Sequence, residues 1–559
     1  MDRISKSVGP TSVSDLNGVS VAGPAVKSGP GCATALAGTL REAGVRYVFG
    51  HPGGEVLDVI DAVEQAGIQF VLNGHESAAA FMAGAIGRLT GSPGVCLSTL
   101  GPGACNLVLG VGNALLDRDP LLALSASIGS ERDSTHTKQN LRLNDLFAPI
   151  SKWSVSLNGV RTGETILSAL DVARRAPRGP VFVSMSSGVA ALADSPDGAY
   201  REPPPFASGD ADTAAIVRRL KSARRPVAVI GVALDLSRDA FAVRRFLAET
   251  NLPFAVLPQA KGIADEYSER FLGTVCAGAD DRIVMLIEQS DCLLGIGFDP
   301  VESAQDWHLS VPVCSVANSP QAFGRYQPVA ESVGNVSQML SEMLPQCRES
   351  GWTEAEIREV RGSAEQALCP PAPSTAAGLS PFHVIRTLRQ ILPEEAIVSA
   401  DVGAHKMAIS QLWRAPLPGS FLVSNGLSAM GYGVPAAMTA SLLYPERPVV
   451  GVIGDGGFGM MVQELETARR LGIHPLFVVF CDRALAIVKI AQRARRIPHV
   501  GVDFAAVDWV RVAEGFGANA IAPGSLCELR SALEQWLHSR QLTVLAVPID
   551  PDLYEGLSY

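Results

Sequence analysis

The clearest fold signal in the chain is the segment Val449-Val450-Gly451-Val452-Ile453-Gly454-Asp455-Gly456-Gly457-Phe458. Its first half is an apolar run, which is typical of a strand buried on both faces of a parallel sheet. The glycines that follow let backbone N–H groups approach phosphate oxygens, and a helix that begins behind them favours negative charge. Asp455 comes at the carboxyl end of the strand, where ligands bind in open parallel sheets. The segment therefore predicts a strand, a turn and a helix that together form an anion site.

Buried-strand runs of the same kind recur along the chain and alternate with stretches of helical periodicity. The other runs lie at residues 47–49, 68–72, 95–99, 121–124, 227–232, 254–257, 292–296, 311–316, 397–399, 476–480 and 542–547. This alternation indicates βαβ units and parallel sheets that are covered on both faces. Two proline-rich linkers, at residues 203–205 and 370–374, divide the runs into three groups.

We therefore predict an α/β fold of three consecutive doubly wound domains with mainly parallel sheets. The predicted domains cover residues 31–195, 206–346 and 376–550, after a flexible extension at residues 1–30 that is rich in Ser, Gly and Val. The length of 559 residues supports this division, because one ordinary core does not accommodate so long a chain.

The composition argues against several classes of function. A formal net charge of -10 is unlike a nucleic-acid-binding protein, which would display a basic face. No stretch is apolar for long enough to span a bilayer, and no secretory signal precedes Ser28. None of the ten cysteines forms a C-x-x-C pair, so we predict buried free thiols in a reducing compartment. The chain is predicted to be cytoplasmic and to bind small molecules rather than nucleic acid or membrane.

A second acidic strand end lies downstream of Asp455. The strand run at residues 476–480 leads into Cys481-Asp482, and if the two strands are neighbours their carboxyl ends lie close together. Asp455 and Asp482 would then ligate one hard cation that also bridges a diphosphate, which is an arrangement that Mg²⁺ prefers. The alternative is that Asp455 is only a helix N-cap and Asp482 a loop residue.

The Gly-Asp-Gly turn around Asp455, together with Cys481-Asp482, resembles the signature of the thiamine-diphosphate-dependent enzymes, in which Gly-Asp-Gly precedes a distant Asn-Asn or Asn-Asp pair. The resemblance implies thiamine diphosphate and Mg²⁺ as cofactors. It also implies three metal ligands, namely the side chains of Asp455 and Asp482 and the backbone carbonyl of Ala484. Cys481 stands where relatives usually have Asn, and its side chain is not expected to touch the metal.

Glu76 is the candidate activator of that cofactor. Thiamine chemistry needs a carboxyl group beside the aminopyrimidine nitrogen, and Gly74-His75-Glu76-Ser77-Ala78-Ala79 supplies one at the start of an apolar helix. In isolation Glu76 would be a first-turn residue that the helix dipole favours. The segment is similar, however, to the family's Arg-His-Glu-x-x-Ala-Ala element, with Gly74 in place of Arg. Residues 49–54 and 99–106 resemble the family's Phe-Gly-x-Pro-Gly-Gly and Ser-x-Gly-Pro-Gly-Ala-x-Asn turns.

The same resemblance implies the remaining cofactor contacts. Residues 424–431 match the loop whose methionine supports the bent cofactor between its rings, and residues 401–405 match the segment that meets the diphosphate. A methionine without this context would more often fill a core. The predicted cofactor-binding residues are Gly53, Gly403, His405, Met430, Gly454, Gly456 and Gly457.

The resemblance covers residues 31–548, and its closest form is the FAD-independent, catabolic type of acetolactate synthase. It implies a carboligase that decarboxylates a 2-keto acid, with pyruvate as the expected donor, and transfers the two-carbon unit to a second carbonyl. FAD is not expected, since the Gly295-x-Gly297 pair lacks the third glycine of a dinucleotide site. Glu76 and Gln139 are the predicted catalytic residues. In such enzymes the glutamate of one subunit meets the diphosphate held by another, so a homodimer or homotetramer is expected.

Several departures from the family leave the acceptor open. Lys138 stands where these synthases carry His, and Leu427 and Ser428 replace a Gln-Gln pair. The alternative is a related thiamine enzyme with another donor or with another carbonyl or amine acceptor, of the kind that carboxyethylarginine synthase, sulfoacetaldehyde acetyltransferase and 2-keto acid decarboxylases represent. Lys152 matches a position near the substrate, but a solvated lysine fits equally well. The basic run at residues 489–496, on a predicted helix, either attracts an anionic substrate or is a solvated face.

Overall fold

Parallel strand pairing organises the chain into three six-stranded sheets across the described residues. The structure is a computed structural model, and it describes residues 30–129, 138–205, 209–276, 282–303, 310–324, 326–347, 349–368, 378–554 and 557. Residues 1–29 of the predicted extension and the predicted linker at residues 370–374 lie outside these ranges.

The first sheet has the strand order β2-β1-β3-β4-β6-β5. Its strands are β1 (Tyr47–His51), β2 (Gln69–Leu72), β3 (Gly94–Ser98), β4 (Leu121–Ser127), β5 (Trp153–Ser156) and β6 (Pro180–Ser186). The helices around it are α1 (Cys32–Glu42), α2 (Leu57–Gln65), α3 (Glu76–Thr90), α4 (Pro102–Leu116), α5 (Leu143–Phe147), α6 (Thr162–Arg174) and α7 (Ser187–Ala190).

The central sheet has the strand order β12-β11-β10-β7-β8-β9. Its strands are β7 (Pro226–Ile230), β8 (Phe254–Val256), β9 (Phe271–Thr274), β10 (Cys292–Ile296), β11 (Val313–Ala317) and β12 (Ala330–Val333). The helices around it are α8 (Ala214–Ser222), α9 (Leu236–Thr250), α10 (Arg282–Glu288), α11 (Val336–Met343) and α12 (Glu354–Leu368).

The third sheet has the strand order β14-β13-β15-β16-β18-β17. Its strands are β13 (Ile397–Ala400), β14 (Phe421–Val423), β15 (Val449–Gly454), β16 (Leu476–Cys481), β17 (Asn519–Ile521) and β18 (Thr543–Pro548). Its helices are α13 (Pro381–Ile391), α14 (Ala404–Leu412), α15 (Gly433–Leu443), α16 (Asp455–Met461), α17 (Glu464–Leu471), α18 (Ala486–Ala494), α19 (Trp509–Gly515) and α20 (Leu526–Ser539).

The three parallel sheets with their covering helices confirm the predicted α/β class, while the exact domain boundaries stay predictions. Counted along their own strands, the first and third sheets share the order 2-1-3-4-6-5, whereas the central sheet has the order 3-2-1-4-5-6. The central order is that of dinucleotide-binding doubly wound folds. The two terminal domains are therefore alike in topology, and the central domain differs from both.

Strand register in the third sheet brings distant parts of the sequence to one edge. β15 pairs with β16 so that Gly454 lies opposite Phe480, and β13 pairs with β15 so that Ala400 lies opposite Val452. The neighbour relation expected for the two acidic strand ends is thus confirmed. Because the strands are parallel, the segments that follow β13, β15 and β16 all leave the sheet at the same edge.

Two helices rich in small residues join the first and third domains. α3 and α15 pack against each other, and one hydrophobic cluster includes alanines of both helices. Phe81 meets Tyr432 edge-to-face with ring centroids 5.8 Å apart, and the Thr439 hydroxyl donates to the Met82 carbonyl at 3.3 Å. Small side chains let the two backbones approach closely, so this contact holds the two domains at a fixed spacing.

A fully buried ion pair fastens the central domain to the third. The Lys261 ammonium lies 2.7 Å from the Glu266 carboxylate, and neither side chain is exposed. Glu266 also accepts the backbone N–H groups of Gly262, at 2.7 Å, and Ala415, at 3.1 Å. Because Ala415 belongs to the third domain, the pair fixes the spacing between the two domains.

Six strands have no counterpart among the predicted runs, namely β5, β6, β9, β12, β14 and β17. Five of them are only three or four residues long, which is too short for a clear apolar run. β6 is seven residues long, but it begins with Pro180, and Ser184 and Ser186 interrupt its apolar pattern.

The described cysteines are free thiols, as expected, but Cys105 and Cys527 are exposed. The prediction that the thiols are buried is therefore wrong for these two, and Cys276, Cys347 and Cys481 are only partly buried. Across the described ranges, none of the helices combines the length and the apolar character needed to cross a membrane.

Candidate active site

Asp455 and Asp482 begin the segments that leave β15 and β16 at the shared sheet edge. Asp455 is only 6% exposed. Its Oδ2 accepts the backbone N–H of Arg483 at 2.9 Å, whereas its Oδ1 is buried and has no hydrogen-bond partner among the residues described. Asp482 Oδ1 accepts the backbone N–H of Ala484 at 3.1 Å. An orphaned carboxylate oxygen is costly in a buried position, and a hard cation would satisfy it.

Burial raises the pKa of both carboxyls. At Asp482 desolvation is the largest cause and repulsion from Asp455 is the second, and together they raise its pKa to about 7. At Asp455 desolvation also raises the pKa, while hydrogen bonds from the backbone of Arg483 and Gly456 oppose the shift. Two desolvated carboxyls of this kind favour a divalent cation, because its charge removes the penalty for ionising them.

The backbone at Ala484 faces the same two carboxyls. The residues before and after it use their backbone groups to pair with residues 502–504. The Ala484 N–H points the other way, to Asp482. In an extended residue the N–H and C=O lie on the same side, so the Ala484 carbonyl also faces this group.

The donor set at this edge suits a cation that shares its coordination with bound molecules. No three His, Cys, Asp or Glu side chains gather at one point in the described part of the chain. Two carboxylates and one carbonyl therefore leave further coordination positions for phosphate or water oxygens. Mg²⁺ is usually bound in this way, by one or two carboxylates together with phosphate and water oxygens.

The glycines of the turn are required by close packing against two side chains. A Cβ at Gly457 would lie 1.8 Å from Asp401 Oδ2, and a Cβ at Gly454 would lie 2.9 Å from His405 Cε1. Gly403 has a φ of 155° and its Cβ would lie 2.7 Å from the same His405 atom. His405 Nε2 accepts the Gly454 N–H at 3.2 Å, and burial lowers the pKa of the imidazole to about 4, which keeps it neutral. These residues form one tightly packed turn.

Met430 extends over this turn from the loop that follows β14. A Cβ at Gly456 would lie 3.4 Å from Met430 Cε and 3.2 Å from the Phe504 ring. Asp401 accepts the backbone N–H of Gly431 at 2.9 Å, which fixes the loop beside the end of β13. Burial raises the pKa of Asp401 to about 6.

The same loop is also fastened to the end of α4 in the first domain. Asp117 accepts the backbone N–H groups of Asn425, at 3.0 Å, and Gly426, at 2.6 Å. The Ser424 hydroxyl donates to Asn113 Oδ1 at 2.6 Å. The position of Met430 is therefore determined from two domains.

Glu76 lies in the first domain, where it begins α3 directly after β2, and it is 7% exposed. Its Oε2 accepts the side-chain N–H of Asn106 at 2.9 Å. The residues just before it are held by Glu464 of the third domain, which accepts the Asn73 amide at 3.1 Å and the His75 backbone N–H at 3.0 Å. These contacts orient the start of α3 and leave Glu76 Oε1 for a ligand.

Gly53 packs against the turn that also contacts Glu76. A Cβ at Gly53 would lie 2.5 Å from Thr99 Oγ1, and the Thr99 hydroxyl donates to Glu55 at 2.7 Å. A Cβ at Gly103, four residues after Thr99, would lie 3.0 Å from Glu76 Oε1. Gly53 and Glu76 thus belong to one cluster at the edge of the first sheet.

Gln139 joins this cluster, but Lys152 does not. Gln139 has a φ of 64° and its Cβ lies 3.0 Å from the Cβ position of Gly101, while Lys138 is exposed beside it. The Lys152 ammonium donates to the carbonyls of Val172 and, at 2.6 Å, Arg175. Lys152 therefore caps the end of α6, and its assignment to a substrate position is not supported.

α4 separates the two groups of candidate residues within one chain. Asn106, near its start, binds Glu76, whereas Asn113 and Asp117, at its end, bind the loop that carries Met430. At 1.5 Å of rise per residue, the 7 to 11 residues between them span roughly 10 to 16 Å. Glu76 is thus bound near the start of α4, and the loop that carries Met430 is bound at its end.

The predicted basic run is only partly helical. α18 ends at Ala494, so Arg495 and Arg496 lie beyond it, and the prediction of one helix is wrong for these two. The two basic residues on the helix form ion pairs with exposed carboxylates, Lys489–Asp503 at 2.5 Å and Arg493–Asp552 at 2.8 Å. This pairing weakens the case for an anion-attracting stripe.

Several residues to which the sequence assigned no role help to build the site, namely Asn106, Asp117, Asp401, Lys406 and Glu464. Asn106 and Asp401 stand inside the motif segments, so their spacing was a usable signal. Asp117, Lys406 and Glu464 act through contacts between domains or loops, for which one sequence carries no local signal.

The chain matches models of all three thiamine pyrophosphate enzyme domains. The N-terminal TPP binding domain matches residues 31–147, the central domain residues 213–343 and the C-terminal TPP binding domain residues 401–547. The chain is 30% identical over 531 residues to an acetolactate synthase of Bacillus subtilis, covering 91% of this chain and 92% of that protein. It is 27% identical over 536 residues to a catabolic acetolactate synthase of Raoultella terrigena, covering 91% and 93%. It is also 27% identical over 529 residues to an acetolactate synthase isozyme 2 large subunit of Escherichia coli, covering 91% and 94%.

The raised pKa of Asp482 predicts a pH-dependent gain of stability in Asp482→Asn. Its pKa of about 7 lies above the ordinary 3.8, so the ionised carboxyl destabilises the ligand-free fold, increasingly as pH rises from 4 to 7. The amide removes this penalty. We expect the free energy of unfolding in urea to rise by ~2 kcal/mol at pH 8 and by less than half as much at pH 5.

Asp503→Asn is the matched control, because it removes an exposed carboxylate of the same region and should change stability by under about 1 kcal/mol at either pH. A loss of stability in Asp482→Asn at pH 8 would contradict the electrostatic argument.

Proposed function

Since the chain belongs to the thiamine-diphosphate-dependent enzymes of the acetolactate synthase type, we propose that it decarboxylates pyruvate and transfers the two-carbon unit to a second pyruvate, with acetolactate as the product. The observation that carries this proposal is the buried, unpartnered Oδ1 of Asp455 beside a second desolvated carboxyl and a glycine turn. Bound thiamine diphosphate supplies the carbon nucleophile and the electron sink for making and breaking bonds next to the carbonyl.

Asp455, Asp482 and the carbonyl of Ala484 hold Mg²⁺ in this proposal. The orphaned oxygen of Asp455 and the raised pKa of Asp482 both favour a divalent cation over the empty pair. The diphosphate then completes the coordination, because Mg²⁺ is commonly held by one or two carboxylates together with phosphate oxygens.

The glycine turn binds the diphosphate. Gly456 and Gly457 lie in the first turn of α16, where their backbone N–H groups and the helix dipole would favour a diphosphate, and Gly454 precedes them as the N-cap. Gly403 lies against the same turn, and neutral His405 orients it by accepting the Gly454 N–H. A neutral imidazole suits this task, since it accepts from the backbone and leaves the N–H groups of the turn for the phosphates.

Glu76 activates the cofactor and Met430 shapes it. Asn106 donates to Glu76 Oε2, so Oε1 is the oxygen that would hold or give up a proton toward the cofactor when it is bound. Gly53, packed against Thr99, and Met430, packed against Gly456, would line the site on its pyrimidine side and between the two rings, respectively. Gln139, beside the same turn as Glu76, donates its amide N–H to a substrate oxygen and orients it.

Two chains are needed for one site, which supports a homodimer or homotetramer. Glu76 and the Met430 loop lie at opposite ends of α4, roughly 10 to 16 Å apart along the helix. Met430 and Glu76 are both predicted to contact the same cofactor, so they would have to lie close together in a complete site. Glu76 of one chain therefore serves the cofactor that the partner chain holds.

The central domain is proposed not to bind FAD, although its strand order is that of dinucleotide-binding folds. In that order the ligand crevice opens between the ends of β7 and β10. Glu302 fills this crevice, since its Oε2 accepts the backbone N–H of Val232 at 2.6 Å. A Cβ at Gly231 would lie 2.6 Å from the Gly297 carbonyl, which leaves little room for a pyrophosphate.

Purified protein with thiamine diphosphate and Mg²⁺ is expected to convert pyruvate to acetolactate, and EDTA is expected to abolish the reaction. Glu76→Gln should lower kcat by about 10²- to 10⁴-fold, because the amide cannot exchange the proton at Oε1. Calorimetry with Mg²⁺ present should still detect cofactor uptake by this variant.

Glu446→Gln, at an exposed turn, is the control and should keep wild-type turnover. The proposed chemistry is wrong if Glu76→Gln retains full activity. The proposed acceptor is wrong if pyruvate yields acetaldehyde alone.

Complementation between two inactive variants tests whether sites are shared between chains. Glu76→Gln and Asp455→Asn are each expected to be inactive. Co-expression at equal levels should recover about a quarter of wild-type activity, because half of random dimers are mixed and each mixed dimer keeps one intact site. No recovery is expected if Glu76 and Asp455 serve the same cofactor within one chain, and that result would refute the shared site.

The filled crevice in the central domain predicts that the purified protein carries no flavin. Its absorption spectrum should lack the bands that an oxidised flavin ring shows between about 350 and 500 nm. Activity should not rise when FAD is added. Glu302→Gly, which removes the side chain from the crevice, is the variant with which the wild-type spectrum is compared. Flavin bands in the wild-type protein would contradict the proposal.

A further inference from the structure

Lys406 presents a buried ammonium group with one hydrogen bond. It lies in the first turn of α14 and is 6% exposed. Its Nζ donates to the Ser428 hydroxyl at 3.0 Å, and no ion pair joins it to a carboxylate among the described residues. An ammonium has three N–H donors, so two of them lack a protein acceptor in this part of the chain. A buried cation in this state is costly unless a ligand satisfies it.

The two carboxylates whose charges act on Lys406 already accept hydrogen bonds from other groups. Asp117 accepts the backbone N–H groups of Asn425 and Gly426, and Asp401 accepts the N–H of Gly431. Both carboxylates therefore hold the Met430 loop and make no direct hydrogen bond to Lys406. Desolvation lowers the pKa of Lys406, and the charges of Asp117 and Asp401 only partly oppose this shift.

The strand order shows where this ammonium lies relative to the cofactor turn. The third sheet runs β14-β13-β15-β16, with the Gly-Asp-Gly turn at the end of β15 and Asp482 at the end of β16. Lys406 follows β13 and Ser428 follows β14. The pair thus follows the strands on the side of the turn away from Asp482, and Ser428 is two residues from Met430.

The Ser428 end of this pair opens to solvent. Ser428 is exposed and Leu427 is 37% exposed, although both neighbour the buried Lys406. Ser428 also has a φ of 54°, a left-handed conformation that costs free energy in a residue with a side chain. Its hydroxyl donates to the Asn425 carbonyl at 3.0 Å, which keeps it turned toward Lys406.

We propose that Lys406 and Ser428 form the subsite that binds the carboxylate of the acceptor 2-keto acid. This inference rests on the proposed function and names the residues that select the acceptor. A carboxylate would accept charge-assisted hydrogen bonds from the two free donors of the ammonium. Bound there, it would lie close to the loop that carries Met430. Ser428 stands in the loop in which this chain departs from the Gln-Gln of related synthases, and Lys406 reaches it from α14.

The carboxylate in question belongs to the acceptor and not to the donor. The donor loses its carboxylate as CO₂, and an ammonium bound to that group would stabilise the ground state and slow the loss. The acceptor keeps its carboxylate in the product, so a cation there binds substrate and product without opposing any step. Lys406 therefore governs acceptor use more strongly than donor decarboxylation.

Product partition tests this assignment. Lys406→Met keeps the buried volume and removes the charge, so it is expected to fold. At equal pyruvate, its ratio of acetolactate to CO₂ should fall by roughly 10- to 100-fold, with KM for the acceptor rising by a similar factor, as loss of a charge-assisted hydrogen bond requires. Lys406→Arg should recover part of the ratio. Lys221→Gln, an exposed lysine on α8, is the control and should leave the ratio unchanged.

A binding measurement separates this inference from the proposed function. L-lactate carries the same carboxylate but does not react, and its binding to the cofactor-loaded protein is measured by NMR line broadening. Lactate should bind the wild-type protein at least about tenfold more tightly than Lys406→Met. Equal affinities, or an unchanged acetolactate-to-CO₂ ratio, would overturn the subsite. Absence of acetolactate from the wild-type protein, with lactate binding still dependent on Lys406, would refute the proposed acceptor reaction alone.

Discussion

Parallel pairing makes every strand of the third sheet end at the same edge, and the rest of the structure depends on this constraint. It brings Asp455 and Asp482 together from strands joined by α16 and α17, and it sets His405 beside the glycine turn from a third strand. No local signal in the sequence connects these residues. Their proximity follows from register alone, and the surrounding glycines and loops only refine it.

The same edge carries most of the electrostatic strain of the third domain. Asp455 keeps an orphaned oxygen, Asp482 has a raised pKa, and Lys406 has a single hydrogen bond. Away from the edge, several buried charges among the described residues are paired, as in Lys261–Glu266. This contrast is typical of a binding site, because polar groups that bind a ligand lack hydrogen-bond partners when the ligand is absent. Binding of the ligand then stabilises the folded state by mass action.

The sequence predicted the class of fold and the edge of the site well, because both depend on local patterns. Long apolar runs identified most of the inner strands, with β6 the exception, and the acidic residue after β15 identified the edge. Short edge strands such as β14 and β17 carry too few residues for such a pattern. The role of Lys152 stayed open and the end of α18 was placed too late for another reason, since a helix cap and a helix end depend on neighbours that one sequence does not reveal.

The two terminal domains share one strand order but present different chemistry at their edges. The first sheet offers Glu76 with neutral partners, and the third offers glycines and charged groups. The cluster of α3 and α15 joins these domains, and α4 packs against α3. In the proposed assembly Glu76 meets the Met430 loop of a partner chain, and this arrangement leaves that core intact. The tight packing inside each chain is therefore compatible with the proposed sharing of sites between chains.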